Sequence, residues 1–306
     1  FKILVVDDFP REFFDELTKY GKVVKAANVD EGLQLGDVDI LVVRSKTKVD
    51  KELLNRMPSL KCVISATHGR DHVDVDRLRE RGVEFHDVPV QSRDVAQGVV
   101  AYVLAHATKL VVGDGLMKRG EWKKGELKGS RIAGKTLGII GYGRIGREVA
   151  KMASALGMNV VVYDPYVEEV KTAAALDELL EASDFVTVHV PFTKETKGMI
   201  GRKEISKMKD GAYLINTARG GIVDEGALLE ALRQGKLGGA ALDVYARQPP
   251  FNNETASELV RDDRVIATPH SIAQTIEAIE EKGEGVIRII KDYVRKHPSN
   301  RNRLRC

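Results

Sequence analysis

Cysteine is almost missing from this chain: Cys62 lies inside an apolar run, Cys306 is the last residue, and there are no others. Two cysteines so placed exclude a disulfide scaffold and a cysteine zinc site. They suit a reducing compartment, so a cytoplasmic location is expected and no metal. Long apolar runs are missing too. Nothing approaches the roughly 18 residues that a membrane-crossing helix needs, and the opening Phe1-Lys2-Ile3-Leu4-Val5-Val6 reads as a strand, not as a secretory signal. An excess of one charge is likewise lacking, since 48 Lys and Arg face 45 Asp and Glu, a formal net charge of +3. That is too little, and too dispersed, to mark a nucleic-acid or membrane partner. No solenoid-period repeat and no low-complexity tract is visible.

Glycine, by contrast, is plentiful at 28 residues, and its placement carries the first functional signal. Gly141-Tyr142-Gly143-Arg144-Ile145-Gly146 follows the apolar run 136–140, and Asp164 ends the next apolar run, 159–163. Residues 136–140 read as a buried strand, 147–156 as the helix that the glycines open, and 159–163 as the strand that delivers the acid. The first glycine permits the tight turn, the second admits a pyrophosphate to the backbone, and the third lets helix pack on strand. Backbone N–H groups at the helix start, around Arg144 and Ile145, would hold the phosphates. The Asp164 carboxylate would accept both hydroxyls of an adenosine ribose and repel a 2′-phosphate, so NAD is expected over NADP. The competing reading, a glycine-rich strand–helix turn with no ligand, does not explain why strand, helix and acid occur together.

A dinucleotide site in the middle of a chain of 306 residues leaves a domain-sized segment ahead of it, so two domains are expected. The first hundred residues repeat a strand–helix rhythm. Short β-branched runs at 3–6, 22–25, 40–43, 62–65 and 84–85 alternate with helical segments at 11–20, 51–56 and 76–81. That alternation predicts a parallel sheet wrapped by helices. Residues 92–110 read as a long helix leading into the nucleotide domain. Further strands follow at 185–190, 213–216, 239–243 and 265–267, with helices at 203–208, 225–234 and 277–295. The fold class is α/β, two doubly wound parallel-sheet domains. The boundaries read as 1–94 with 273–306 for one domain and 95–272 for the other.

Three more segments carry a specific resemblance. Asn216-Thr217-Ala218-Arg219-Gly220-Gly221-Ile222-Val223-Asp224, then Ala241-Leu242-Asp243-Val244-Tyr245, then Thr268-Pro269-His270 resemble the D-2-hydroxyacid dehydrogenases in order and spacing. Echoes in His189-Val190-Pro191-Phe192-Thr193 and Asp71-His72-Val73-Asp74 extend the likeness over nearly the whole chain. The resemblance implies a flavodoxin-like substrate domain, a Rossmann cofactor domain and an active site in a cleft between them. It implies cofactor contacts from Gly141, Gly143, Arg144, Ile145, Gly146, Asp164, Val190, Pro191, Thr217, Ala218, Asp243, His270 and Ala273. It implies a small anionic substrate held by Arg44, Ser45, His68, Gly69 and Arg219. It also implies a homodimer, through the apolar helix of Val95, Ala96, Val99, Val100, Val103 and Leu104.

The chemistry bears on the catalytic residues. Oxidising a 2-hydroxy acid removes a hydroxyl proton while hydride leaves the same carbon. A carboxylate and a carbonyl oxygen call for a planar, permanently charged donor, which Arg219 supplies from just past a strand end. The proton calls for a group that titrates near neutrality, which His270 supplies from another strand end. On residues alone Arg219 is equally a loop charge, His270 a capping histidine and Asp243 a helix N-cap. Gly220-Gly221 suggests a close backbone approach at Arg219. By resemblance Asp243 bonds the nicotinamide carboxamide.

The departures from the family matter as much. Gln248 stands where the family usually has a glutamate that pairs with the histidine and raises its pKa. Gln248 keeps the hydrogen bond and loses the charge, as in NAD-dependent formate dehydrogenases, where no carbinol proton moves. The segment Arg44-Ser45-Lys46-Thr47-Lys48 resembles a phosphate-holding loop of phosphoglycerate dehydrogenases, or is a solvated charged turn. Thr67, His68 and Arg70 bring bulk where relatives are small, and Arg70 either meets a phosphate or points to water. Ser271-Ile272-Ala273 replaces a glycine-rich stretch. The expected reaction interconverts 3-phosphoglycerate and 3-phosphohydroxypyruvate. Glyoxylate or hydroxypyruvate reduction, formate or phosphite oxidation, and a non-catalytic NAD-sensing role like that of related corepressors stand as alternatives. The chain ends soon after His270, so the separate regulatory domain of many bacterial phosphoglycerate dehydrogenases is not expected.

Overall fold

A computed structural model describes residues 1–6, 9–30, 32–67, 69–167 and 175–298. His68 and the basic tail 301–305 lie outside the described residues. The chain divides into two units, Phe1–Gln91 with Gln274–Cys306, and Ser92–Ala273. The first break falls ahead of the expected 94/95 because the helix that begins at Ser92 belongs whole to the second unit.

The first unit runs β1 (Lys2–Val6), α1 (Arg11–Leu17), β2 (Lys22–Ala26), β3 (Ile40–Val43), α2 (Lys51–Asn55), β4 (Cys62–Ser65), α3 (Val75–Glu80) and β5 (Glu84–Asp87). All its strand pairs are parallel, in the order β2-β1-β3-β4-β5. Every residue of β3 and β4 is buried, as a parallel sheet covered on both faces demands. Alternate residues face opposite layers. Ile3, Val5, Ile40, Val42 and Ile64 pack with Phe13 and Leu17 of α1 and with Val286 and Ile290 of the C-terminal helix (Ile276–Lys296). Leu4, Val6, Leu41, Val43 and Val63 meet Leu53, Leu54 and Leu78 of α2 and α3. Asp50 and Asp74 start α2 and α3 by accepting N–H bonds from Leu53 and Arg77, at 3.1 and 3.0 Å.

The second unit comprises α4 (Ser92–Thr108), α5 (Leu110–Lys118), β6 (Thr136–Ile140), α6 (Arg144–Ala155), β7 (Asn159–Tyr163), α7 (Leu176–Ala182), β8 (Phe185–Val188), α8 (Arg202–Lys207), β9 (Ala212–Asn216), α9 (Glu225–Arg233), β10 (Leu237–Leu242), α10 (Glu254–Arg261) and β11 (Val265–Ala267). Its parallel sheet is ordered β11-β10-β9-β8-β6-β7. The chain leaves β6 for β7 on one side and returns to β8 on the other, which makes the carboxyl ends of β6 and β8 a topological switch point. Ala96, Val99, Tyr102 and Val103 of α4 and Val149 and Ala150 of α6 cover one face, against Leu137, Ile139, Ile215 and Ala241. Leu179, Ile205, Leu228 and Leu232 of α7, α8 and α9 cover the other.

Two expectations about α4 need correcting. Ala96, Val99 and Val103, read as part of a face free for a second copy, are spent inside their own unit. The helix also stops earlier than 110. Lys109 takes a left-handed φ of 57°, and α5 leaves at a 65° bend. Such a residue costs about 1–3 kcal/mol. Lys109 Nζ offsets part of that by donating to Tyr213 Oη at 2.8 Å and lying 5.3 Å from its ring centroid. Leu104 stays exposed on α4, and beyond the bend so do Leu110, Val111, Met117 and Trp122, the last 79% exposed.

His106 is buried beneath the bend, where its Nε2–H donates to the Ala240 carbonyl at 2.9 Å. Burial, with Lys109 nearby, pushes its imidazole down to about 4 from an ordinary 6.5. The folded state therefore binds fewer protons than the unfolded chain between those values, and stability falls as pH drops from 6.5 toward 4. His106→Gln, which keeps a donor and cannot titrate, should recover about 2–3 kcal/mol of that loss. Urea melts at pH 7.5 and 4.5 test this, and an equal acid loss in both proteins would refute it.

Candidate active site

Gly141 ends β6 with a φ of +94°, and a Cβ there would lie 2.7 Å from the His189 carbonyl oxygen and 2.9 Å from Val190 Cγ1. A Cβ on Gly146 would lie 2.2 Å from the Gly141 oxygen. These two glycines serve the packing of the turn itself. Gly143 differs: nothing lies within 4 Å of where its Cβ would stand. It leads directly into α6, whose first N–H groups have no side-chain cap. The helix starts at Arg144 and not at 147, because Gly146 sits within its first turn against Gly141. Open space above uncapped N–H groups at a helix start fits a pyrophosphate.

Asp164 does more than wait for a ribose. Its Oδ2 accepts the Tyr142 N–H at 2.7 Å and its Oδ1 accepts the Tyr166 N–H at 3.0 Å, so it pins the glycine turn to the end of β7. A carboxylate has about four acceptor positions, which leaves capacity for two hydroxyls. His189 and Val190 close the β8 side. Burial pushes the His189 imidazole down to about 3, so it is neutral, paired with Thr187 Oγ1 at 2.9 Å. The Pro191 carbonyl accepts from Thr196 Oγ1 at 2.6 Å, which holds the following turn.

Buried Asn216 at the end of β9 knits the next loop. Its Nδ2 donates to the Arg219 carbonyl at 2.9 Å and its Oδ1 accepts the Ala218 N–H at 3.1 Å. Thr217 Oγ1, buried in this turn, has no hydrogen-bond partner among the described residues. Arg219 is extended and half-buried, and its Nη1 donates to the Ala218 carbonyl at 2.8 Å. Gly220 and Gly221 do not leave room for a ligand. Added Cβ atoms would lie 1.9 Å from the Tyr245 carbonyl carbon and 2.7 Å from the Phe192 ring. Their smallness instead lets the Arg219 loop lie directly on residues 245–246.

Those residues lead to Gln248. Glu225, half-buried at the start of α9 and pushed up by that burial, accepts the Ala246 N–H at 2.7 Å. Gln248 Oε1 lies 3.3 Å from His270 Nδ1. The carbonyl oxygen can only accept, so His270 Nδ1–H is the donor of this bond. His270 has a φ of +56°. The cause lies beside it: Asp243, 2% exposed, accepts from Thr268 Oγ1 at 2.5 Å, the Ser271 N–H at 2.8 Å and the Ile272 N–H at 3.3 Å. Asp243 is thus no helix N-cap but the anchor of the histidine loop. Ala273 is the last residue of this unit.

In the first unit Arg44 and Ser45 follow β3, beside the switch between β1 and β3, and Thr47 N–H closes their turn on the Arg44 carbonyl at 3.3 Å. Thr67 Oγ1 donates to the Gly69 carbonyl at 3.1 Å and lies 3.0 Å from Ser65 Oγ, so the residue that replaces a glycine ties its loop internally. Arg70 neither points to water alone nor stands free for a phosphate. Its Nε and Nη2 meet the two carboxylate oxygens of Asp87 at 3.3 and 3.4 Å.

Residues 100–271 match the D-isomer specific 2-hydroxyacid dehydrogenase, NAD binding domain. The chain belongs to that family. It is 40% identical over 305 residues to D-3-phosphoglycerate dehydrogenase of Methanocaldococcus jannaschii, covering 96% of this chain and 57% of that protein. It is 42% identical to hydroxypyruvate reductase of Thermotoga maritima, covering 84% and 85%. D-lactate dehydrogenase of Aquifex aeolicus, solved with NAD and lactic acid, superposes with a TM-score of 0.88 at 32% identity, covering 98% and 97%. The chain spans about half the length of the curated phosphoglycerate dehydrogenases it matches. Within the matched region the glycine turn, Asp164 and the loops after β8, β9, β10 and β11 follow the carboxyl ends of the strands of one sheet.

The two kinds of glycine respond differently to substitution. Gly143→Val should weaken NAD binding at least about a hundredfold (about 2.7 kcal/mol) and leave the protein folded. Gly146→Ala should cost about 1–3 kcal/mol of stability through overpacking. Titration calorimetry with NAD and thermal melts separate the two effects, and NAD binding untouched by Gly143→Val would remove the pyrophosphate from this turn.

Proposed function

We propose that this chain interconverts a D-2-hydroxy acid and its 2-keto acid with NAD, and that the substrate pair is 3-phosphoglycerate and 3-phosphohydroxypyruvate. The observation that carries the reading is the His270–Gln248 pair, joined at Nδ1, on a loop that Asp243 anchors. NAD, when bound, takes hydride from the substrate's second carbon or returns it. The residues present fit that cofactor: Gly143 leaves an open cradle, Asp164 retains acceptor capacity, and the Thr217 hydroxyl awaits a polar partner. Among the described residues Asp243 Oδ1 takes three protein donors, whereas Oδ2 takes only the Ile272 N–H at 3.3 Å, so Oδ2 is the oxygen for a nicotinamide carboxamide.

In oxidation His270 Nε2 accepts the hydroxyl proton as hydride leaves the same carbon, and the carbon–oxygen double bond forms. In reduction the imidazolium returns that proton to the carbonyl oxygen. Arg219 holds the carboxylate and the reacting oxygen. Arg44 and Lys46, at the end of β3, supply the cations for a phosphate, while Arg70 is engaged by Asp87. A cytoplasmic homodimer completes the proposal, joined by the apolar surface that Leu110, Met117 and Trp122 leave exposed. One observation favours a second reading. Gln248 offers the histidine no charge, which suits formate or phosphite oxidation, where hydride leaves without a carbinol proton.

Turnover with NAD on a panel of 3-phosphoglycerate, D-lactate, D-glycerate, formate and phosphite tests the proposal. The phosphorylated acid should give the highest kcat/KM, and Arg219→Lys should lower it by at least about a hundredfold, since the point charge cannot bond a carboxylate in two places. Activity on formate or phosphite alone would install the second reading, and no turnover at all would leave an NAD-sensing role.

Gln248→Glu separates the two chemistries further. An anion beside Nδ1 favours imidazolium, so the alkaline limb of keto-acid reduction should move to higher pH, and oxidation should need a higher pH for the same rate. A profile that keeps its position would mean that His270 moves no proton in the rate-limiting step.

A further inference from the structure

The loop 268–272 carries His270, and α4 meets it at two points. Tyr102, 3% exposed, places its hydroxyl 2.5 Å from Thr268 Oγ1. Thr268 has one hydroxyl proton and gives it to Asp243 Oδ1, so the phenol must be the donor in a one-way chain from Tyr102 through Thr268 to Asp243. Burial pushes the Tyr102 phenol up, which keeps it a donor. On the same helix Gly98 forms a notch that Ile272 fills. A Cβ on Gly98 would stand 2.1 Å from Ile272 Cγ1 and 3.2 Å from the Ile272 carbonyl oxygen. No residue but glycine fits there while Ile272 keeps its place.

Between those two contacts lies the strained residue. His270 holds a left-handed φ of +56°, which costs a residue with a side chain roughly 1–2 kcal/mol. Asp243 enforces it by accepting the Ser271 and Ile272 N–H groups. The same carboxylate is oriented by Thr268, and Thr268 by Tyr102. The aim of the His270 ring thus depends on a helix 166 residues away in sequence.

We propose that α4 latches the catalytic loop, with the Tyr102 hydroxyl and the Gly98–Ile272 seat as positioning elements that hold His270 against Gln248. The proposal rests on His270 as the acid–base group and adds what keeps it aimed. Ile272 and Gly98 act as a matched pair: a side chain on one helix residue is exchanged for bulk on the loop. Loss of either fastening should let the loop relax toward an ordinary backbone conformation and swing the ring off the substrate, while the adenosine end of the cofactor site, on β6 and β7, stays as it was.

Four variants of the full chain test this: Tyr102→Phe, Gly98→Ala, Ile272→Ala and the double variant Gly98→Ala/Ile272→Ala. Amide hydrogen exchange at Ser271 and Ile272 needs no substrate. It should run at least about tenfold faster in Tyr102→Phe and in Gly98→Ala, with α9 amides unchanged. For kinetics, Tyr102→Phe should lower kcat about tenfold while KM for NAD stays within about threefold. The double variant should regain most of the kcat lost in Gly98→Ala. Unchanged exchange at Ser271 and Ile272 in Tyr102→Phe overturns the latch, as does a double variant no better than Gly98→Ala. Should Gly98→Ala fail to fold, Tyr102→Phe, which keeps the ring and its packing, decides alone. Should the parent protein turn over no hydroxy acid, the functional reading fails while the exchange measurement still decides the latch.

Discussion

The carboxylate of Asp243 is the constraint on which the candidate site depends. It is buried, and a buried carboxylate persists only if its oxygens are hydrogen-bonded. Thr268, Ser271 and Ile272 supply those bonds, and all three belong to the loop that carries His270. The desolvation cost of one charge is thereby converted into the shape of the loop. A bend that would be unfavourable for a histidine alone becomes the arrangement that satisfies the acid. Replacing the acid would take the histidine's backbone conformation with it.

A second constraint is the close approach of backbones at the carboxyl ends of the strands. Gly141 on His189, Gly146 on Gly141 and Gly220 on Tyr245 are contacts between chain segments. Of the three glycines in the turn 141–146, Gly143 is the one that faces open space. A glycine-rich turn therefore mixes residues that build the cradle with one that leaves it open, and sequence pattern alone does not sort them. Gly220 shows the same ambiguity from the other side. A close backbone approach there could serve a substrate or the chain itself, and it is the chain that approaches, through residues 245–246 ahead of Gln248.

Much of the architecture was legible because it depends on local pattern. The runs 40–43, 62–65, 136–140, 159–163 and 265–267 are strands to the residue, and the buried ones, β3, β4 and β6, are the nearly continuous apolar runs that a parallel strand covered on both faces demands. Three helices went unread: α5, α7 and α10. Each is short, and α5 is cut from α4 by a left-handed Lys109, a residue type that gives no warning of such a break. In the site, the pairing of Gln248 with His270 followed from the motifs. Arg70 did not, because its partner Asp87 lies on another strand and long-range ion pairs leave no trace in spacing. Tyr102, Thr268 and Glu225 were missed for a related reason. They act on other residues' backbones and hydroxyls, so each looks like an ordinary core or capping residue until the loops are in place.

These facts divide the work on His270 between two groups. Asp243, with Thr268 and Tyr102 behind it, sets where the histidine stands, and it does so through backbone N–H groups. Position 248 meets the ring itself at Nδ1, where a carboxylate would add charge and an amide adds only direction. Because the two tasks fall to different residues, the proton affinity of the ring can be retuned at 248 without moving it. A site organised this way can shift between hydride transfer coupled to a proton and hydride transfer alone by one side chain on an unchanged scaffold. Gln248 in this chain therefore differs from a glutamate in charge, while the bonds that set the loop's geometry run to Asp243 and not to position 248.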